Sequence, residues 1–441
     1  MVRNVLRVIG MSAVMALSAC SFGSGGAPLP PPAALGGSIP DVTRASQIRA
    51  LCPPTRERGR MRCFSIVRTD IGGFAADAYH GEDIARAFGA ASPCSGGPPY
   101  CPSDLQSAYR LPSANKGNGT TVAIVDAYGY KAMPHDFATY RSTLGLKPCP
   151  IGSCFKIVNQ DGKSGPLPAE SSASDDWHGE QALDVDMVSA ICPNCHIVLV
   201  QTDDDFNVNL AKGVVTAAKA MHANIVSTSF GGGEYATIDP TFAVKGVTFV
   251  ASSGDSGAGV QQPCAFASVV CAGGTELTRA PNARGWNEKV WNTLRLQTQC
   301  GGDCGATGSG CSRLVPPPSW EAGFACKSGR AETDVSADAS VRTPVAIFSG
   351  PEGGWVGIGG TSAAAPMIAG AIALAGNWAT MGGPKYIWTH RAALFDVARG
   401  NNIDAGFGVT CPSGAPLYIC HARKGYDGPT GWGTPNGLGS L

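Results

Sequence analysis

A serine in a glycine-rich turn is the residue of this chain best suited to chemistry. Ser362 follows Gly359, Gly360 and Thr361 and precedes an apolar run that starts at Ala363. A turn of this kind at the start of a helix orients a hydroxyl for nucleophilic attack, and the first amides of the helix can hold a developing oxyanion. An ordinary helix cap uses the same residue type, so the turn alone leaves both roles open.

Two acids spaced four residues apart form a second candidate. Glu180 and Asp184 lie in a segment where Leu183, Met187 and Ile191 recur every four positions, which predicts a helix. Residues four apart project from one face of a helix, so these two carboxyls can share a proton. A solvated helix face also carries acids at this spacing, and the spacing does not decide between the two roles.

A third candidate is an acid in a turn of serines and glycines. Asp255 follows the apolar run 247–250, which predicts a buried strand. If its carboxyl keeps its proton, Asp255 can donate a hydrogen bond to an oxyanion. The alternative is a turn aspartate that accepts hydrogen bonds from its own backbone.

Together these three motifs resemble the sedolisin family, the serine-carboxyl peptidases with a subtilisin-like fold. The resemblance extends from about Cys101 to the C-terminus. It implies that Ser362 is the nucleophile and that Glu180 is the base that removes its proton. It further implies that Asp184 orients this base and that Asp255 completes the oxyanion hole. Because neighbouring carboxyls do not both ionise readily and Asp255 must be neutral to donate, we expect peptide hydrolysis to be fastest in acid.

The sequence is also compatible with two other functions. Asp126, His178 and Ser362 occur in the chain order of the subtilisin triad, although Asp255 stands where subtilisins use an asparagine for the oxyanion. A different class of function is a catalytically inactive, surface-anchored binding protein on the same fold. The role of Asp126, at the end of an apolar strand candidate, is also left open.

The C-terminal region holds a candidate metal site. Two carboxylates, Asp396 and Asp427, together with loop carbonyls would suit a hard cation such as calcium. The resemblance implies one structural calcium ion bound by Asp396, Val397, Gly425 and Asp427. Arg423 stands where the family usually supplies a further carbonyl from a glycine.

The N-terminus predicts export. Residues 1–19 have the basic start and apolar stretch of a lipoprotein-type signal peptide, and Cys20 ends a lipobox-like Leu-Ser-Ala-Cys sequence. We expect a bacterial envelope lipoprotein held to the membrane by a lipid on Cys20, with ordinary secretion as the alternative. Residues 20–100 then form a Pro-, Gly- and Ser-rich tether and a short Cys-containing pre-region, and 101–441 form the peptidase domain. Whether processing removes 21–100 is left open.

Cysteine spacing predicts disulfides, as expected after export. Of 17 cysteines, 16 remain once Cys20 is set aside. Several lie close in sequence, namely Cys52 and Cys63, Cys94 and Cys101, Cys149 and Cys154, Cys192 and Cys195, Cys264 and Cys271, and Cys411 and Cys420. The pairing among Cys300, Cys304, Cys311 and Cys326 is left open.

The alternation of apolar strand candidates with helical stretches predicts an α/β fold. We expect a largely parallel sheet with helices on both faces, in one large domain, and a buried helix over the apolar segment 363–379. With 33 basic and 33 acidic residues the chain has no basic excess of the kind that binds nucleic acid. We expect a monomer that acts on protein or peptide substrates.

Overall fold

The computed structural model describes most of the chain from residue 48 to the C-terminus. The described residues are 48–55, 57–72, 93–94, 96–172, 175–299, 305–323 and 326–441, without the side chains of 297–299. The predicted signal peptide, the predicted lipid site Cys20 and most of the predicted tether lie outside them.

The described part of the chain contains 18 strands. They are β1 Ile48–Ala50, β2 Arg62–Cys63, β3 Ile66–Gly72, β4 Thr121–Ala127, β5 Phe155–Asn159, β6 His196–Thr202, β7 Ile225–Thr228, β8 Phe230–Gly231, β9 Thr248–Ser252, β10 Ser256–Ala258, β11 Val269–Arg279, β12 Trp286–Val290, β13 Ala306–Ser309, β14 Val335–Asp338, β15 Val345–Ser349, β16 Gly354–Gly359, β17 Leu394–Phe395 and β18 Thr434–Pro435.

The α-helices of the described residues alternate with the central strands. They are α1 Pro102–Ala108, α2 Met133–Thr143, α3 Trp177–Ile191, α4 Asn207–Val215, α5 Thr361–Ala375, α6 Trp378–Met381 and α7 Pro384–His390. A π-helical turn, Thr216–Ala220, extends α4, and short 3-10 turns lie in the connections.

A largely parallel sheet forms the centre of the fold. Its strand order is β12-β11-β9-β7-β4-β6-β5, and β14 also pairs with β11. The pairs are parallel except that of β12 with β11. In β4 the residues from Val122 to Ala127 are all buried, as expected for a strand covered on both faces. The prediction of a single large α/β domain with a mainly parallel, subtilisin-like sheet is confirmed.

The apolar segment after Ser362 forms the buried helix α5. Its residues from Thr361 to Leu374 are buried, and the helix packs against α3 and against β4, β7, β9, β11 and β14. Such close burial fits a helix that is apolar on every side. Among the residues that the structure describes, no helix is long and apolar enough to cross a membrane.

A second sheet includes residues from before position 101. Its order is β1-β3-β16-β15, and β3 pairs antiparallel with β16, the strand that leads into the turn before Ser362. Part of the predicted pre-region therefore packs as two strands beside the candidate site.

Disulfides join the cysteines that lie close in sequence. The six predicted close pairs are formed, and Cys311 pairs with Cys326. Cys300 and Cys304 lie outside the described residues.

Candidate active site

The turn before α5 presents Ser362 at the carboxyl edge of the sheet. Gly360 has a φ of 106°, a conformation that side-chain-bearing residues avoid, and it connects Gly359 at the end of β16 to Thr361 at the start of α5. Ser362 is fully buried, and its hydroxyl donates to the carbonyl oxygen of Ser229 at 3.1 Å. The hydroxyl is thus held on the second residue of a helix, beside the Ser362 N–H, which donates to the carbonyl oxygen of Phe64 at 3.0 Å.

Helix α3 buries both candidate acids beside this serine. Glu180 and Asp184 have no exposed surface, so the interpretation of this pair as a solvated helix face is wrong. Burial raises the pKa of each carboxyl well above its ordinary value, and the nearby Asp126 raises both further. The hydroxyls of Ser362 and Ser65 lie beside Glu180 and lower its pKa in part, although neither makes a well-aligned hydrogen bond to it.

Ser229, which follows β7, connects Asp184 to the backbone of Ser362. Its hydroxyl lies 2.8 Å from Oδ1 of Asp184 and 3.4 Å from the carbonyl oxygen of Ser362. That carbonyl lacks its usual helical partner, because Pro366, four residues on, has no N–H. A serine hydroxyl has one hydrogen, so both contacts are hydrogen bonds only when Asp184 is protonated and donates to Ser229. The raised pKa of Asp184 favours this arrangement.

Asp255 lies on the other side of the turn. Its Oδ1 accepts hydrogen bonds from the backbone N–H of Thr361 at 2.9 Å and from the Thr361 hydroxyl at 2.8 Å. Its Oδ2 is buried without a hydrogen-bond partner among the described residues. Burial raises the pKa of Asp255 to about 7, so below that pH Oδ2 carries a proton that it can donate. This geometry favours the role of Asp255 as a hydrogen-bond donor to an oxyanion over the role of a turn aspartate that accepts only from its own backbone.

The structure does not assemble the subtilisin-type alternative. One ring nitrogen of His178, Nδ1, lies 3.3 Å from the Ser171 hydroxyl, and the other has no hydrogen-bond partner in the described part of the chain. The ring packs edge-on against Tyr130, its Nδ1 lies 3.4 Å from Asp176, and the described hydrogen bonds of the Ser362 hydroxyl do not include it. Neither carboxylate oxygen of Asp126 has a partner either, and burial raises its pKa to about 8. Asp126 therefore lies near Glu180 and Asp184, and among the described residues it forms no hydrogen bond with an imidazole.

Two contributors to the site escaped the sequence analysis. Ser229 was assigned no role, although it lies in the stretch 226–234, which is part of the family resemblance. The other is the segment around Phe64 and Ser65, whose backbone lies directly against Ser362. The closeness of Cys52 and Cys63 predicted a closed loop here, but its position in space could not be read from it.

The chain is similar in sequence to a known protein family and to curated proteins. The model of the subtilase family, Peptidase_S8, matches residues 161–409. Kumamolisin from Bacillus sp. (strain MN-32) is 30% identical over 81% of this chain and 65% of its own length. Sedolisin from Pseudomonas sp. (strain 101) is 27% identical over 76% of this chain and 59% of its own length.

A solved structure extends the match to three dimensions. It is Pseudomonas sedolisin, a serine-carboxyl proteinase complexed with two molecules of pseudo-iodotyrostatin. It is 26% identical, covers 76% of this chain and 95% of its own, and has a TM-score of 0.62. This chain belongs to the subtilase family, in its sedolisin branch. It spans less than two thirds of the length of the two curated relatives.

In this chain β17 and β18 bring together the residues that were predicted to bind calcium. These short strands pair antiparallel and place Asp396 and Val397, which follow β17, beside the loop that holds Gly425 and Asp427. The N–H of Gly425 lies 3.1 Å from Oδ2 of Asp396. Burial raises the pKa of Asp427 to about 7, and the charge of Asp396 adds to this shift. Oδ1 of Asp427 accepts from the Thr430 N–H and Oδ2 from the Arg423 N–H. Two carboxyls whose charges interact, one of them buried, are the kind of donor pair that a hard cation would neutralise.

A second group of metal-ligand residue types does not fit a metal site. Cys264, Cys271 and Glu332 lie close together in the described structure, but the two cysteines share a disulfide and offer no thiolate.

Proposed function

We propose that this protein is a serine-carboxyl peptidase that hydrolyses peptide bonds of proteins or peptides in acid. The observation that carries the proposal is the burial of Glu180 and Asp184 beside the Ser362 hydroxyl, while His178 is directed elsewhere. A serine hydroxyl is a weak nucleophile until a neighbouring group takes its proton, and carboxyls are the groups available here.

In the proposed mechanism Ser362 attacks the substrate carbonyl and Glu180 takes its proton. Burial, together with the charges of Asp126 and Glu180, raises the pKa of Asp184, so that Asp184 keeps a proton to donate to Ser229, and Ser229 contacts the backbone carbonyl of Ser362. The negative oxygen that forms on the substrate accepts hydrogen bonds from the Ser362 N–H and from the protonated Asp255. Glu180 then returns the proton to the leaving amine, and water hydrolyses the Ser362 ester.

The acidic optimum follows from the same groups. The pKa values of Asp184 and Asp255 are raised by burial, so in mild acid both residues keep the protons that they need to donate. Above the pKa of Asp255, about 7, that residue becomes an anion and repels the oxyanion.

A catalytically inactive binding protein is the second candidate function. The orphaned Oδ2 of Asp255 and the buried, strongly shifted Glu180 disfavour it, because neither arrangement stabilises the fold. Hydrolysis of an unfolded protein substrate from about pH 3 to about pH 8, by wild type and by Ser362→Ala, decides between the two. We expect acid hydrolysis that Ser362→Ala abolishes; wild type that binds without cleaving at any pH would support the binding protein.

We also propose that the protein is exported, carries a lipid on Cys20, binds one structural calcium ion through Asp396, Val397, Gly425 and Asp427, and is a monomer. The seven described disulfides support export, since they form in oxidising compartments. Radiolabelled palmitate should enter the wild-type chain but not Cys20→Ser. Equal labelling of both would exclude the lipid, and recovery of unlabelled wild type from the medium would support ordinary secretion.

A further inference from the structure

Two buried glutamines form a chain of side-chain hydrogen bonds beside the candidate acids. Gln181 follows Glu180 on α3, and Gln201 lies on β6; neither glutamine has exposed surface. Nε2 of Gln181 lies 3.1 Å from the carbonyl oxygen of Ala127 and 3.3 Å from that of Tyr128. Nε2 of Gln201 donates to Oε1 of Gln181 at 2.8 Å. The chain therefore ties α3 to the end of β4 and to β6.

The backbone fixes how both amides are oriented. A backbone carbonyl only accepts hydrogen bonds, so Nε2 of Gln181 must face the two carbonyls and its Oε1 must face Gln201. Gln201 must then donate to that oxygen from its own Nε2. Its remaining polar atom, Oε1, is buried and has no hydrogen-bond partner among the described residues. The chain thus ends in an acceptor that needs a donor.

Asp126 is the side chain placed to supply this donor. It pairs with Gln201 in the parallel ladder of β4 and β6, and directly paired residues point to the same face of a sheet about 5 Å apart. On the other side of β6 Gln201 pairs with Asn159, whose amide is bonded within its own turn. Both oxygens of Asp126 are buried without a partner in the described part of the chain. A carboxylate and an amide oxygen both accept, so Asp126 and Gln201 can bond only when Asp126 is protonated.

The surroundings of Asp126 favour its protonated form. The titratable groups that interact with it are Glu180 and Asp184, both on α3. The neighbouring strand β7 presents the neutral Ser227, and α5 carries no acidic or basic residue. Among the described residues no group donates to Asp126, and burial raises its pKa to about 8. A buried carboxyl that has no donor and lies near two other acids is costly to ionise.

We propose that Gln201, oriented by Gln181, is a positioning residue that keeps Asp126 protonated by accepting its hydrogen at Oε1. The inference rests on the proposed peptidase function, in which Glu180 must be an anion to take the proton of Ser362. A neutral Asp126 does not repel the charge on Glu180, so Glu180 ionises at a lower pH and can act as a base in acid. The two amides do not titrate, so they hold this arrangement across the acid range.

The first test reads the protonation of Asp126 without any activity. Infrared spectra of the full-length Ser362→Ala chain are recorded at about pH 6, where an ordinary aspartate is ionised. We expect a carbonyl band of a protonated carboxyl that Asp126→Asn removes. Gln201→Met has a similar length but no acceptor oxygen, so in that variant the band should move to higher frequency, as for a carboxyl that loses a hydrogen bond.

A matched glutamine on the far side of the same helix provides the control. The amide of Gln106 donates to the carbonyl oxygen of Ala190, near the C-terminal end of α3, at 2.6 Å. Gln106→Met should leave the band of Asp126 in place. A band that Gln201→Met leaves equally unmoved would overturn the assignment of Gln201 as the acceptor.

The second test uses the acid limb of the pH profile, the range in which kcat/KM for an unstructured peptide rises as Glu180 ionises. Asp126→Asn supplies a side chain that is neutral at every pH and donates to the same acceptor. The acid limb should therefore stay at the wild-type pH, even if the rate itself falls. If Asp126 were an anion in wild type, its replacement would let Glu180 ionise more readily, and the limb would move to lower pH by about one unit or more. Such a move would overturn the inference.

The outcomes separate this inference from the proposed function. If wild type hydrolyses the peptide but Asp126→Asn removes no carboxyl band, the inference is overturned and the peptidase function stands. If the band behaves as expected but wild type hydrolyses no peptide at any pH, the peptidase function falls, while the protonation of Asp126 beside Gln201 stands. If Gln201→Met does not fold, the band and the acid limb of Asp126→Asn still decide whether Asp126 is protonated.

Discussion

The hydroxyl of Ser229 lies 2.8 Å from Oδ1 of Asp184, and the same hydroxyl reaches the carbonyl of Ser362 at 3.4 Å. Pro366 makes this second contact available, because it leaves the Ser362 carbonyl without a helical hydrogen bond. The two contacts connect the protonation of the acid on α3 to the position of the nucleophile on α5. Ser229 is therefore a positioning residue.

We expect Ser229→Ala to lower kcat/KM about tenfold or more, because losing a hydrogen bond to an acid of this kind costs about 1–3 kcal/mol. The pH profile should also change, since Asp184 loses the acceptor of its proton. Ser227→Ala is the matched control: Ser227 is equally buried on β7, and its hydroxyl has no partner among the described residues. Equal losses in the two variants would show that Ser229 acts only through packing.

The pKa of Asp255 should set the upper limit of the pH range in which the protein hydrolyses peptides. Its pKa is raised by burial to about 7, so its proton is lost as the pH rises through that value and hydrolysis should decline. An asparagine donates from its amide at every pH, so Asp255→Asn should be slower in acid but decline at a higher pH than wild type. Asp239→Asn, which alters an aspartate that caps a 3-10 turn, is the control. Superimposable profiles of kcat/KM against pH for Asp255→Asn and wild type would refute the role of Asp255 as donor.

Glu180 should reduce stability at neutral pH. Its folded pKa lies well above the ordinary value of 4.5, so as the pH rises past that value the unfolded chain loses the proton first and unfolding becomes more favourable. In a Ser362→Ala background, Glu180→Gln should therefore unfold at a higher temperature than its parent near pH 7 and at a similar temperature near pH 4.

Thermal melts at the two pH values check this expectation. Glu57→Gln, an exposed change, serves as the control and should shift neither melt. A lower Tm for Glu180→Gln than for its parent near pH 7 would mean that the buried carboxylate is stabilised by contacts that the structure does not contain.

Calcium removal should destabilise the C-terminal region. The charges of Asp396 and Asp427 repel each other in the absence of a cation, and burial increases the penalty for Asp427. Chelation of the purified Ser362→Ala chain should lower its Tm by a few degrees, and added Ca²⁺ should restore it. Asp427→Asn should abolish the response, whereas Asp161→Asn on the surface should keep it. A melt that chelation leaves unchanged would exclude the ion.

The motifs and fold class could be predicted because they depend on local sequence. The apolar run of β4 and the recurring Leu183, Met187 and Ile191 predict a buried strand and a helix without reference to the rest of the chain. That the three motifs form one site is implied by the resemblance to the sedolisin family.

The parts of the site that the sequence did not predict depend on contacts between residues far apart in the chain. Ser229 and Ser362 are 133 positions apart, and Phe64 is 298 positions from Ser362. Nothing in the composition around Phe64 distinguishes a strand in the cleft from a tether on the surface. The sequence also could not decide whether Glu180 and Asp184 are exposed to solvent. They are buried because α5 packs on α3, a contact between distant parts of the chain.

The most direct test of the whole account compares Glu180→Gln with His178→Ala, each assayed for hydrolysis of the same peptide from about pH 3 to about pH 9. Both residues lie on the first turns of α3, so the two variants change the same helix. If carboxyls activate Ser362, Glu180→Gln should lose at least about a hundredfold in kcat/KM, while His178→Ala keeps the wild-type acid optimum. Full activity of Glu180→Gln together with loss of activity in His178→Ala, and an optimum above neutrality, would contradict it.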